Sequence, residues 1–166
     1  KEYDNIHLDV FSSFGIYGWF QRDEKYKDLF DKLNTHPKIT NHGTASNETI
    51  LEYLDKSHIF MYPSIWQETS CIAMIEAIRS GNVVIHPNYG ALMETAGNAT
   101  VSYDFSEDLN TNASMCYSLA KNLLDMQKSD DTFLNRFTLS DRFVLPKNSI
   151  NNFIHQWKVT LLKVTK

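Results

Sequence analysis

Between Ile59 and Ile85 two short apolar runs rich in strand-forming residues bracket a single helical stretch. Ile59-Phe60-Met61-Tyr62 is the first run, and Pro63 ends it because proline has no N–H to give to a ladder. Val83-Val84-Ile85 is the second. Between them, from about Thr69, the residues Ile72, Ala73, Ile75, Ala77 and Ile78 have the apolar density of a helix buried against a sheet, and Gly81 suits the left-handed position after its end. The same alternation recurs on either side. A strand is expected over Ile6 to Ser12, an amphipathic helix over Asp23 to Asn34, a strand over Lys38 to His42, a helix capped by Ser46 or Asn47, and a last strand near Thr100 to Tyr103. Repeated strand–helix alternation predicts an α/β fold with a parallel sheet flanked by helices, whose ligands bind beyond the carboxyl ends of the strands.

The loop after the Ile59 strand carries the chemistry. Glu68 and Glu76 lie eight positions apart across the helix start. If all eight positions were helical, the two carboxylates would be roughly 12 Å apart and only about 80° around the axis, within reach of one extended ligand. The N–H groups of Thr69, Ser70, Cys71 and Ile72 would then be the unsatisfied donors of the helix N-terminus, where an anion is favoured. A phosphate flanked by hydroxyl-bearing groups matches that layout. A plainer reading also fits: Glu68 as a first-turn acid complementing the dipole, and Glu76 as an exposed helix residue.

Pro63-Ser64, Glu68, Glu76-Ala77, Gly81, Val83-Val84 and Asn88-Tyr89-Gly90-Ala91 leading to Glu94 form an ordered series. In its order and in the Glu-x7-Glu spacing it resembles the donor-binding half of family 4 retaining glycosyltransferases, which have the two-domain GT-B fold, and the likeness extends back to Leu8. The resemblance implies a Rossmann-like parallel sheet with a helical extension, an α/β core over residues 6–104 and a helical tail over residues 105–166. It implies transfer of a sugar from a nucleoside-diphosphate sugar with retention at the anomeric carbon. Glu76 would accept from the ribose hydroxyls and Glu68, as the catalytic-site carboxylate, from hydroxyls of the donor sugar. Thr69, Ser70, Cys71 and Ile72 would approach the sugar and diphosphate, Ser64 would border the donor, and Gly43, Thr44 and Ala45 would lie by the base. For Gly43 a simple turn at a strand end is the alternative. No metal or other cofactor is expected, in keeping with the lack of an Asp-x-Asp, and the acceptor, whether glycan, lipid or protein, would be held mainly by a separate N-terminal domain.

The sequence also departs from that pattern. In the family an additional first strand is followed by an Arg and a Lys directed at the diphosphate, and nothing before Ile6 supplies them. Asn82 stands where proline is usual, with an effect expected mainly on a turn, and Thr69-Ser70 replace an aromatic and a glycine. The expectation is therefore most of a donor site in a fragment inactive alone. Two other classes fit the same residues. A non-catalytic nucleotide-binding module would bind donor without transfer, and a nucleotide-sugar epimerase of GT-B type would turn over donor without acceptor.

The remaining segments are less specific. At 166 residues the chain is long enough for one well-buried core and reads most simply as one domain, and its net charge of −4 gives no argument for nucleic acid. Cys71 and Cys116 fit neither a disulfide framework nor a zinc pattern, so a reduced cytoplasmic setting is expected. Ser12 to Gly18 could cradle a phosphate, but it matches no phosphate fingerprint and reads more simply as a turn. The charges from Asp23 to Lys32 read as a solvated face, and His86 as a structural residue. Helices are expected over Asn112 to Gln127 and Asn148 to Val164, with a mixed region over Thr132 to Phe143. The last helix is basic and amphipathic. It is expected to pack on its own domain, with contact to another domain or a weak membrane-surface contact through residues 147–166, at the inner face, as alternatives. An open strand edge beside Ile6 to Ser12 would invite self-association.

Overall fold

The computed structural model describes residues 3–97, 100–130 and 149–164. The mixed region over Thr132 to Phe143 lies outside them. The chain divides into two compact units, Lys1–Ile50 and Leu51–Lys166.

In the first unit, β1 (Leu8–Val10) pairs in parallel with β2 (Ile39–Asn41), Leu8 opposite Ile39 and Val10 opposite Asn41. The loop that follows β1 folds as a turn held by its own polar groups. The Ser13 hydroxyl accepts from Gly15 N (2.9 Å) and donates to Asp23 (2.7 Å), and Asp23 also accepts from Phe14 N (3.0 Å), so the loop amides are already engaged. Asp23, expected on a solvated face, is thus a loop anchor. Helix α1 (Lys27–Thr35) begins later than Asp23, after two single 3₁₀ turns, and packs on β2. At the end of β2, His42 stacks on Phe11 (4.5 Å, 8° between planes) and bonds Asp9 at 2.8 Å.

Helix α2 (Asn47–Leu54) starts as expected, with Ser46 Oγ accepting from Thr49 N. The second unit contains the parallel sheet β3 (Ile59–Met61), β4 (Val83–Asn88) and β5 (Val101–Asp104), in the order β3-β4-β5. Helices α3 (Ile72–Arg79) and α4 (Leu92–Ala96) connect the strands, and α5 (Leu109–Ser129) follows. Strand β4 is buried from Val83 to Pro87. On one face Val83 and Ile85 pack with Tyr103 and with Cys116, Ala120 and Leu123 of α5. The alternate residues Val84 and His86 serve the opposite face, where α3 and α4 contribute Met74, Ala77, Ile78, Leu92 and Ala96.

The apolar run read from sequence stops at Ile85, yet the strand continues through His86 and Pro87 to Asn88, opposite Asp104. The reason is geometric. Val83 N bonds His58 O and Ile85 O accepts from Tyr62 N, so odd-numbered residues of β4 face β3. Pro87 faces that side too, beyond the end of the β3 ladder, where no partner requires an N–H. Asn82 also does more than shape a turn. It is buried, and its Nδ2 donates to Leu54 O (2.8 Å) and Ala77 O (3.2 Å), tying α2 and α3 to the start of β4.

Helix α6 (Ile150–Val164) keeps its apolar side chains exposed: Phe153 is 56% and Trp157 53% accessible. Among the described residues the expected packing of this face on the same domain is not observed. Among the described residues no helix is long and apolar enough to cross a membrane.

His86 is fully buried, bonded through Nδ1 to Pro87 O (2.9 Å) and through Nε2 to Thr100 Oγ1 (2.7 Å). Because a carbonyl only accepts, Nδ1 carries the proton and Nε2 accepts from the threonine. Burial lowers the imidazole pKa, against an upward pull from the Pro87 carbonyl. The unfolded chain therefore protonates first, so stability is complete above about pH 6.5 and falls as pH drops below it. Urea unfolding at about pH 8 and about pH 5.5 is expected to show lower stability in acid, with a smaller difference in His86→Asn. A larger difference in the variant would mean that His86 is charged in the native state.

Candidate functional site

The loop from Tyr62 to Cys71 leaves the carboxyl end of β3, and Tyr89 to Ala91 leaves that of β4. The two loops interlock. Ala91 N donates to Glu68 O at 2.9 Å. Gly90 has φ +57°, and a Cβ there would stand 2.7 Å from Glu68 O and 2.9 Å from Glu68 N. Only glycine allows that approach. Tyr89 stacks on Phe105, just past β5, with ring centres 3.9 Å apart. Three strand ends are thus joined around Glu68.

The Glu68 side chain is held as well, its Oε1 accepting from Tyr62 Oη at 2.7 Å. Burial above all, and then this bond, push the Tyr62 phenol above its ordinary range, so it is a permanent donor near neutrality and no base. Cys71 lies against the same hydroxyl and is almost wholly buried. Its thiol pKa is raised chiefly by burial, while the amides of Met74 and Ala73 and the Tyr62 hydroxyl pull it down.

Helix α3 begins at Ile72, three residues later than expected. Cys71 is the N-cap, and the first full-turn bond runs from Ile75 N to Cys71 O (3.2 Å). The amides ahead of the helical ladder are therefore those of Cys71, Ile72, Ala73 and Met74, while Thr69 and Ser70 lie in the preceding loop. This start also removes the all-helical estimate of the Glu68 to Glu76 separation, because Glu68 precedes the helix. Glu76 sits half-buried within α3. The cause of the shift is tertiary: the bonds of Glu68 to Tyr62 and to the Gly90 loop hold the segment extended.

The other expected site residues lie as follows. Ser64 is engaged locally, its Oγ accepting from Trp66 N at 3.1 Å, which folds the loop tip. Gly43, Thr44 and Ala45 follow β2 in the first unit. Gly43 has φ +62° with open space around its Cβ position, and its N–H donates to Asn41 Oδ1 (3.2 Å). Tyr62 and Phe105 were not singled out from sequence as site residues. The Asn-Tyr-Gly-Ala signal flags the glycine, but nothing local flags Tyr62. Among the described residues no group of three or more His, Cys, Asp or Glu could hold a metal ion.

This arrangement at the ends of parallel strands can be set beside known proteins. Residues 13–113, more than half of the chain, match the family model described as glycosyl transferases group 1. The chain belongs to that family. No curated protein matched the chain. Among solved structures, this group 1 glycosyl transferase chain is similar to a glycosyltransferase from Rickettsia africae ESF-5, with a TM-score of 0.68 and 19% identity. That match covers 98% of this chain and 41% of the other. It is also similar to the sucrose-phosphate synthase from Thermosynechococcus elongatus, with a TM-score of 0.62 and 17% identity, covering 87% of this chain and 35% of the other. The group 1 chain thus spans about two-fifths of those proteins, and the likeness at this identity is one of fold. The expected α/β fold of parallel strands and flanking helices is the fold observed.

The interlock sets a comparison between two glycines. Gly90→Ala meets backbone at 2.7 Å and is strained in φ, whereas Gly43→Ala meets nothing within 4 Å and carries the φ strain alone. Urea denaturation is expected to show a loss of about 1–2 kcal/mol for Gly43→Ala and about 2–4 kcal/mol for Gly90→Ala. Equal losses would mean that the Glu68 loop yields freely.

Proposed function

We propose that this chain is the donor-binding part of a retaining glycosyltransferase that uses a nucleoside-diphosphate sugar. The observation that carries the reading is a glutamate pair of family spacing, Glu68 anchored ahead of α3 and Glu76 within it, beyond the carboxyl end of a parallel strand in a group 1 chain. Such a strand end is where ligands of these sheets bind.

In this reading Glu76 accepts from the ribose hydroxyls and Glu68 from a hydroxyl of the donor sugar. A carboxylate accepts two such protons with directional, charge-assisted bonds, which fixes the sugar against the helix end. The amides of Cys71 and Ile72 ahead of the α3 ladder, with those of Thr69 and Ser70 in the loop before it, approach the sugar and its diphosphate. Charge gathers there as the bond from the anomeric carbon to the diphosphate breaks, and fixed N–H dipoles stabilise it without reorganising. Ser64 borders the donor. The mechanism needs no metal. The acceptor, a glycan, lipid or protein, is held by another part of the full-length protein, and the reaction takes place on the cytoplasmic side.

The test is ligand-observed NMR with UDP-, GDP- and ADP-sugars on the full-length protein and on this chain. Binding of one nucleotide class is expected, with at least about tenfold weakening in Glu76→Ala, because a carboxylate bonded to hydroxyls is removed. Silence of the full-length protein across the panel would overturn the reading.

A further inference from the structure

We propose that Tyr62 is a positioning residue for Glu68, its hydroxyl fixing Oε1 and leaving Oε2 to accept a hydroxyl of the donor sugar. The proposal rests on the reading of Glu68 given above and assigns a role to a residue outside the glutamate pair. Three observations carry it. The Tyr62 Oη to Glu68 Oε1 bond is short, at 2.7 Å, and among the described residues no hydrogen bond engages Oε2. Tyr62 is fixed by the sheet: it follows β3 directly, its N–H bonds Ile85 O of β4 at 2.8 Å, and its ring stacks on Phe60 at 5.9 Å. The other end of Glu68 is fixed independently, by Ala91 N on its carbonyl and by Gly90 packed against its backbone.

A glutamate has three side-chain torsions to immobilise, and a free one in a loop loses that freedom only when ligand binds. Here the backbone is locked by the β4 loop and one carboxylate oxygen by the β3 strand. Ordering is complete before the donor arrives, and the remaining lone pairs have a set direction. A tyrosine suits this task because two torsions and a packed ring deliver its hydroxyl with little play. Phenylalanine at position 62 would keep the ring contacts and lose the bond.

The test compares Tyr62→Phe and Glu68→Gln with the wild type in the full-length protein. The readouts are turnover of UDP-glucose, GDP-mannose and ADP-glucose, affinity for the corresponding nucleoside diphosphates, and melting temperature. Tyr62→Phe is expected to lower kcat/KM for the used donor by about tenfold, mainly through kcat, with nucleoside-diphosphate affinity within about twofold of wild type. Glu68→Gln is expected to lose at least as much. If Tyr62→Phe keeps wild-type kcat/KM while Glu68→Gln loses it, Glu68 needs no positioning by Tyr62 and the proposal fails with the donor reading intact. Equal loss of nucleoside-diphosphate affinity and melting temperature in Tyr62→Phe would make Tyr62 merely structural. Unchanged kinetics in both variants would remove the reading of Glu68 itself.

Discussion

Strand β4 has a parallel neighbour on each edge and a helical layer on each face. A strand so enclosed tolerates polar atoms only where they are bonded, and its five residues from Val83 to Pro87 follow that rule. Val83 and Ile85 fill one side and Val84 the other, while His86 is admitted because both ring nitrogens have partners. The crossing α3 must then return to the sheet at a fixed point. Asn82 sets that point by holding the last turns of α2 and α3 to the strand it begins.

With both faces and both edges of β4 occupied, the loops after β3 and β4 meet beyond its carboxyl end, where ligands of parallel sheets bind. Their contact is made through backbone: the glycine of one loop lies against the peptide of Glu68 in the other, and the next residue donates to its carbonyl. Backbone contacts of this kind transmit position with little slack. Glu68 thereby inherits the rigidity of two strands although it sits in a loop.

The strand–helix alternation was legible because β4 and helices α3 to α5 bury apolar sets, and the Gly81 stop marked a helix end. Boundaries were less legible where a distant partner intervenes. Thr69 and Ser70 read as the start of a helix because their composition permits one. The competing bonds of Glu68 with Tyr62 and Ala91 hold that stretch extended, and no local pattern records them. Proline disfavours a strand for a sound local reason, which the early end of β3 cancels at Pro87. Asp23 read as a surface charge, yet it bonds a loop ten residues back. The apolar stripe of α6 was correctly recognised, but amphipathicity says only that a face wants cover, and in this structure the stripe is exposed.

The spacing of Glu68 and Glu76, and the order of small and apolar residues around them, were set by the sequence alone, because helix periodicity and the special backbone of glycine are local properties. They sufficed to point to the family. Which atoms those carboxylates present was decided only in the tertiary structure. Tyr62 is six residues from Glu68, beyond a proline and an irregular turn, and Gly90 is a further strand away. Their meeting depends on how two parallel strands end side by side, a register that arises from the packing of the whole sheet.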